Sequence, residues 1–114
     1  MKIQNADGLL SKTIFNNQDD WMTYPESIYT CTICQEKISF TLRDLNNHSL
    51  SSETNLTDKD NLIVNEFAKL GHVSSNSFLD FYCPNCKRPV RVYYESWAGG
   101  KHGEAGHIIN YIVE

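Results

Sequence analysis

The 114-residue sequence has no long apolar run and few apolar residues overall. Its hydrophobic fraction of 40% is below the roughly 45–50% of ordinary globular domains. No stretch approaches the roughly 18 apolar residues of a membrane-spanning helix, and the first seven residues lack the apolar core of a secretory signal. We therefore expect one domain over residues 1–114, with no membrane partner, in the reducing cytoplasm.

Catalytic motifs and basic charge are also scarce. The sequence contains no nucleophile elbow, P-loop or dinucleotide-binding fingerprint, so we expect no enzyme activity and no small-molecule substrate. Its 10 Lys and Arg residues against 14 Asp and Glu residues give a formal charge of −4, whereas a general nucleic-acid binder needs a strongly basic face. The acidic balance favours a basic protein partner, because charge complementarity raises the association rate.

Cysteine is rare, but all four cysteines fall in two pairs, Cys31-Thr-Ile-Cys34 and Cys83-Pro-Asn-Cys86. Two intervening residues let both thiolates of a tight turn face one ion, and two such turns complete the four-sulfur site of a structural zinc. Disulfide bonds and redox chemistry are the alternatives. The 48 residues between the pairs, positions 35–82, exceed the roughly 15–20 of a minimal site. A folded insertion is therefore expected there.

The two cysteine turns resemble the knuckles of zinc-ribbon proteins, in which each knuckle tops a β-hairpin and the domain binds nucleic acid or protein. The resemblance is confined to the knuckles, and it implies one Zn²⁺ per chain. Its ligands would be Cys31, Cys34, Cys83 and Cys86. The family often has glycine after the second cysteine, for a left-handed turn, where this chain has Gln35 and Lys87.

The remaining pattern predicts an α+β fold with a small antiparallel sheet of about four to five strands and one helix in the insertion. Strands are predicted at 37–42, 77–82, 89–97 and 107–113, with one or two short ones at most in residues 1–30. The first and third of these strands are expected in one sheet or in adjoining sheets. A helix is predicted over about 58–70, capped by Thr57 and ending at Gly71. Segments 44–57 and 98–106 are predicted to be loops.

The helix pattern also predicts which face packs on the sheet. Its apolar stripe comprises Leu62, Ile63, Phe67 and Leu70.

The leading functional hypothesis is a non-enzymatic module that inhibits or regulates a basic protein, as a bacterial immunity protein or antitoxin does. Its candidate contact residues are acidic and lie in or beside irregular segments: Asp19, Asp20, Asp44, Glu53, Asp58 and Asp60. The alternative is a nucleic-acid-binding zinc ribbon in transcription or RNA processing, which would use basic and aromatic side chains. These are Lys87, Arg88, Arg91, Trp97 and Lys101. Arg91 and Tyr93 also fit ordinary residues on the outer face of a strand.

Overall fold

The computed structural model describes residues 1–16, 24–48, 54–73, 75, 77–97 and 106–114. Over these ranges the chain forms seven strands and two α-helices. They are β1 (Ile3–Asn5), β2 (Ile14–Asn16), β3 (Ser27–Thr30), β4 (Lys37–Phe40), α1 (Leu42–His48), α2 (Asp58–Leu70), β5 (Ser77–Tyr82), β6 (Pro89–Trp97) and β7 (Gly106–Val113). The α+β class predicted from the sequence is confirmed.

The strands form two antiparallel sheets. The larger has the order β1-β7-β6-β5, and β2 pairs with the other end of β7. The smaller sheet is the β3–β4 hairpin. The strands predicted at 77–82, 89–97 and 107–113 are confirmed. The strand predicted at 37–42 ends at Phe40 and lies in the smaller sheet, which adjoins the sheet of β6 because Phe40 and Val90 share one core cluster. The described part of residues 1–30 contains three short strands, where at most two were predicted.

Apolar side chains pack on both faces of the larger sheet. Val90, Val92 and Tyr94 alternate along β6 and are fully buried in the main core cluster, together with Tyr29 of β3. The rings of Tyr29 and Phe81 meet edge to face, with centroids 5.8 Å apart. A second cluster contains Tyr93 and Val113 of the sheet with Val64 and Ala68 of α2. The larger sheet therefore separates the β3–β4 hairpin from α2.

Helix α1 corrects the prediction of a strand through residue 42 and a loop from residue 44. The backbone N–H and hydroxyl of Thr41 both donate to Asp44 Oδ2, at 2.9 and 3.2 Å. This is the reach-back half of a capping box, in which the third helical residue binds the N-cap N–H. Leu42 and Leu45 are buried three positions apart on the same helical face. The sequence Thr41-Leu-Arg-Asp44 therefore begins a helix.

Helix α2 confirms the predicted helix at both ends. The Thr57 side chain accepts a hydrogen bond from the Asp60 N–H at 3.2 Å, and the Gly71 N–H donates back to Phe67 O. The predicted packing face is wrong, however. Val64 and Ala68 face the sheet, whereas Leu62, Ile63 and Leu70 are 62%, 44% and 79% exposed. Phe67 alone of the predicted stripe is half-buried against the sheet.

Polar contacts explain which face of α2 is buried. Arg91 of β6 donates to the side chains of Asn61 and Asn65, and Tyr82 of β5 donates to Asp60. These three acceptors lie beside Val64 and Ala68 on the helix. A buried guanidinium needs acceptors, so turning the larger apolar stripe inward would leave Arg91 without them.

Candidate metal centre

The four cysteines lie at the ends of two hairpins from different sheets. Cys31 and Cys34 occupy the turn between β3 and β4, and Cys83 and Cys86 occupy the turn between β5 and β6. The two turns are equivalent in their backbone hydrogen bonds. The Cys31 N–H donates to Glu36 O at 2.8 Å, and the Cys83 N–H donates to Arg88 O at 2.9 Å.

A second pair of hydrogen bonds closes each turn. The N–H groups of Gln35 and Lys87 donate to the carbonyls of Cys31 and Cys83, at 3.0 and 2.8 Å. Gln35 has a φ of 66° and Lys87 a φ of 64°. Both therefore adopt the left-handed conformation for which zinc ribbons often use glycine. For a residue with a side chain this conformation costs energy, so the hydrogen bonds of the turn must stabilise it.

All four sulfur atoms lie within 4.8 Å of one another. Cys31 Sγ is 3.7 Å from Cys86 Sγ, and Cys34 Sγ is 3.5 Å from Cys83 Sγ. Each of these short contacts joins one turn to the other. Zinc–sulfur bonds of about 2.3 Å in a tetrahedron place the sulfur atoms about 3.8 Å apart. The four thiols are thus positioned to bind a metal ion, and the donor set fits a tetrahedral thiolate site.

Hydrogen bonds act on the second cysteine of each turn, with opposite outcomes for its pKa. The Asn85 side chain and the Glu36 N–H donate to Cys34 and lower its pKa to about 6. In the other turn, the Arg88 N–H also lowers the pKa of Cys86, but burial and the three neighbouring thiols outweigh it and raise that pKa to about 11. Four thiolates this close repel one another. A divalent cation offsets this repulsion with its positive charge, and it binds each cysteine as a thiolate.

Glu114 braces the first cysteine turn. Glu114 is 1% exposed, and its carboxylate accepts hydrogen bonds from Tyr29, from Thr32 at 2.6 Å and from Gln4 at 3.0 Å. Burial, followed by the hydrogen bond to Glu114, raises the pKa of Tyr29. Tyr29 and Thr32 lie on either side of Cys31, so Glu114 fixes the turn that carries this ligand.

Of the acidic residues proposed as partner contacts, the structure describes Asp44, Asp58 and Asp60. Asp44 caps α1, and Asp60 accepts the Tyr82 hydroxyl at 2.7 Å. Asp58 is exposed in the first turn of α2. Asp19, Asp20 and Glu53 lie outside the described residues.

Of the residues proposed as nucleic-acid contacts, the structure describes the side chains of Lys87, Arg88 and Arg91. Arg91 is 1% exposed and paired with Asp80, so its assignment to an exposed basic surface is wrong, as is the outer-face interpretation of Arg91 and Tyr93. The reason is that α2 covers this face of β6. Arg88 is half-buried, and the exposed Lys87 donates to Pro84 O at 2.8 Å. Trp97 lies in β6, but its side chain, like all of Lys101, lies outside the described residues.

Sequence reasoning missed the burial of Asp80 and His107, as it did that of Glu114. In the sequence, Asp80 is one polar residue within a predicted strand. In the structure it is 3% exposed and accepts a hydrogen bond from Arg91. His107 is 4% exposed and links Ser96 to Asn46. For Asp80 and Arg91 a signal existed, since opposite charges at Asp80 and Arg91 are cross-strand neighbours once β5 and β6 pair.

Comparisons with protein-family models, curated proteins and solved structures gave no match to this chain. Among the described residues, neither helix is long and apolar enough to cross a membrane.

Proposed function

We propose that Cys31, Cys34, Cys83 and Cys86 hold one structural zinc ion and that the chain is a non-enzymatic interaction module built around it. The observation that carries the proposal is the approach of four sulfur atoms from two separate hairpins to within 4.8 Å. Four protein ligands fill a tetrahedral zinc shell and leave no open position for substrate or water. The ion would join the smaller sheet to the larger one.

Zinc would contribute directly to folding. The two cysteine turns are separated by 48 residues, positions 35–82, so no such site exists in the unfolded chain. Binding free energy then becomes folding free energy, and structural zinc contributes on the order of 10 kcal/mol in small peptides. Thiol ligands also need a reducing compartment, and for this reason we place the protein in the cytoplasm.

The metal proposal is tested by Cys83→Ser, with Ser39→Ala, outside both turns, as the control. We expect near-stoichiometric zinc in wild type and control purified without chelator. The cysteine variant should lose zinc and unfold at lower urea concentration. A folded wild-type protein with two disulfide bonds and no metal would refute the proposal.

The proposed partner is a basic protein that the module inhibits or regulates, in the manner of an immunity protein or antitoxin. The formal charge is −4 with neutral cysteines, and zinc bound by four thiolates changes it to about −6. An acidic inhibitor can associate quickly with the basic substrate cleft of a nuclease. The burial of Arg91 and the half-burial of Arg88 weaken the alternative of a nucleic-acid-binding zinc ribbon, because they remove positive charge from the surface.

The partner proposal is tested with the product of the neighbouring gene, since an immunity gene sits beside its toxin gene. The metal-loaded chain should bind that protein and inhibit it. Reversing Asp19, Asp20, Glu53 and Asp58 to lysine should slow association, whereas reversing Lys2 and Lys37 to glutamate should not. A single-stranded oligonucleotide is the competing probe. Tight, steeply salt-dependent binding to it, without binding to the neighbouring protein, would support the alternative instead.

A further inference from the structure

The outward face of α2 carries an apolar stripe that is exposed in the described part of the chain. Leu62, Ile63 and Leu70 are 62%, 44% and 79% exposed, whereas Val64 and Ala68 on the opposite face are buried. With 3.6 residues per turn, Leu62 and Ile63 lie on either side of one line along the helix. Leu70 continues the stripe towards the C-terminal end. Three large exposed apolar residues on one helical face mark a contact surface.

Two exposed charges lie on the same line. Lys59 and Glu66 are seven residues apart, which is nearly two full helical turns, so their side chains project in the same direction about 10 Å apart. Leu62 and Ile63 lie between them. The stripe therefore has a positive end, an apolar centre and a negative end.

We propose that this face is the contact between two copies of the chain, packed as an antiparallel homodimer through α2. A twofold axis between Leu62 and Ile63 brings Leu62 against Leu62 of the partner subunit. It brings Ile63 against Ile63 of the partner subunit. The same axis places Lys59 opposite Glu66 of the partner subunit, and the symmetry repeats this pair at the other end. A twofold interface must be complementary to itself, and this charge order meets that requirement.

Other arrangements of the same face are less favourable. A parallel pair would oppose Lys59 to its own counterpart and Glu66 to its own counterpart, and like charges in contact are destabilising. An antiparallel pair shifted to bring Leu62 against Leu70 of the partner subunit would centre on Glu66 and oppose the two carboxylates. The arrangement centred between Leu62 and Ile63 matches apolar with apolar and positive with negative.

The expected dimer is weak. One helical face is smaller than the roughly 800 Å² per partner of a standard stable interface, so association should depend strongly on concentration. The inference does not rest on the proposed function, and zinc content measured on the same samples separates the failure of one from the failure of the other.

Sedimentation equilibrium of the metal-loaded full chain over a concentration series tests the proposal. Wild type should show a monomer–dimer equilibrium. Leu62→Glu should raise the dissociation constant by on the order of tenfold or more, because it places two carboxylates against each other in the centre of the contact. Ile14→Glu is the matched control, since Ile14 is 54% exposed on β2, and it should leave the equilibrium unchanged.

Exchanging the charges of Lys59 and Glu66 tests the antiparallel orientation of the two α2 helices. Lys59→Glu alone and Glu66→Lys alone should each weaken the dimer, because each variant creates two like-charge contacts. The double variant should restore it, since both cross-subunit pairs are then opposite in sign again. A wild-type chain that stays monomeric at every concentration overturns the proposal. A dimer that persists in Leu62→Glu, or one that the double variant fails to restore, also overturns it.

Discussion

The Nε atom of Arg91 lies 2.7 Å from Asp80 Oδ1, and both side chains are 1% exposed. Burial opposes the charge on Arg91, but the hydrogen bond and ion pair with Asp80 outweigh it and raise the pKa of the guanidinium. The Phe78 ring also packs against the guanidinium, with its centroid 4.1 Å from Arg91 Cζ. Through its donors to Asn61 and Asn65, this ion pair connects β5 and β6 to α2.

Removing one partner of this pair should destabilise the fold strongly. Asp80→Asn leaves the Arg91 charge buried and uncompensated, and such changes cost about 3–5 kcal/mol. The double variant Asp80→Leu with Arg91→Met should lose less stability than Asp80→Leu alone and Arg91→Met alone lose in sum, because it leaves no unpaired buried charge. Urea unfolding of the metal-loaded chain measures these free energies. Asp7→Asn, at an exposed position, is the control and should change stability by no more than about 0.5 kcal/mol.

Tyr82→Phe should loosen the N-terminal end of α2. The Tyr82 hydroxyl donates to Asp60 at 2.7 Å and accepts the Thr57 N–H at 2.9 Å, and losing such bonds costs on the order of 1 kcal/mol. Amide hydrogen exchange should therefore accelerate in the first turns of α2 before it does so in β6 and β7. Tyr24→Phe provides the comparison, since Tyr24 is 72% exposed. Equal exchange in both variants would show that the Tyr82 hydroxyl does not hold the helix.

His107 should make stability depend on pH. Its ring lies between β6 and α1, with Nδ1 2.7 Å from Ser96 Oγ and Nε2 2.6 Å from Asn46 Oδ1. Because Asn46 Oδ1 can only accept, Nε2 carries the proton and Nδ1 accepts from the Ser96 hydroxyl. The Tyr94 ring packs edge-on against the imidazole, with centroids 5.3 Å apart. The histidine is therefore held in its neutral form.

The sign of the pH effect follows from burial, which lowers the pKa of His107 below its ordinary value. The unfolded chain protonates this histidine near pH 6.5, and the folded chain does so only at lower pH. Between these two values the unfolded state binds more protons, so the free energy of unfolding falls as the pH falls below about 6.5. His107→Gln should reduce this slope. An unchanged slope in the variant would assign the pH dependence to other groups.

The sequence predicted β5, β6, β7 and helix α2 because their signals are local. Alternation along 89–97 and the Thr57 cap depend only on residues a few positions apart. The orientation of α2 was predicted wrongly because it depends on a contact between Arg91 and two asparagines 26 and 30 residues away in sequence. Hydropathy alone favours the stripe containing Leu62 and Leu70, whereas the need to satisfy a buried guanidinium selects the other face.

The metal centre could be predicted from sequence more fully than the acidic or the basic contact surface. Both cysteine turns are short local motifs, and their shared backbone hydrogen bonds follow from the Cys-x-x-Cys spacing. The left-handed Gln35 and Lys87 show that the turn tolerates side chains where the zinc-ribbon family often has glycine. The brace formed by Glu114 on Tyr29 and Thr32 could not be predicted, because it joins residues 85 and 82 positions apart.

X-ray absorption at the zinc K edge, on protein purified without chelator, tests the central claim most directly. We predict one zinc ion per chain with four sulfur neighbours at about 2.3 Å and no nitrogen or oxygen neighbour. A shell containing nitrogen or oxygen ligands would contradict the assignment of all four cysteines. A folded chain in which these cysteines form disulfide bonds, with no bound metal, would contradict the metal centre itself.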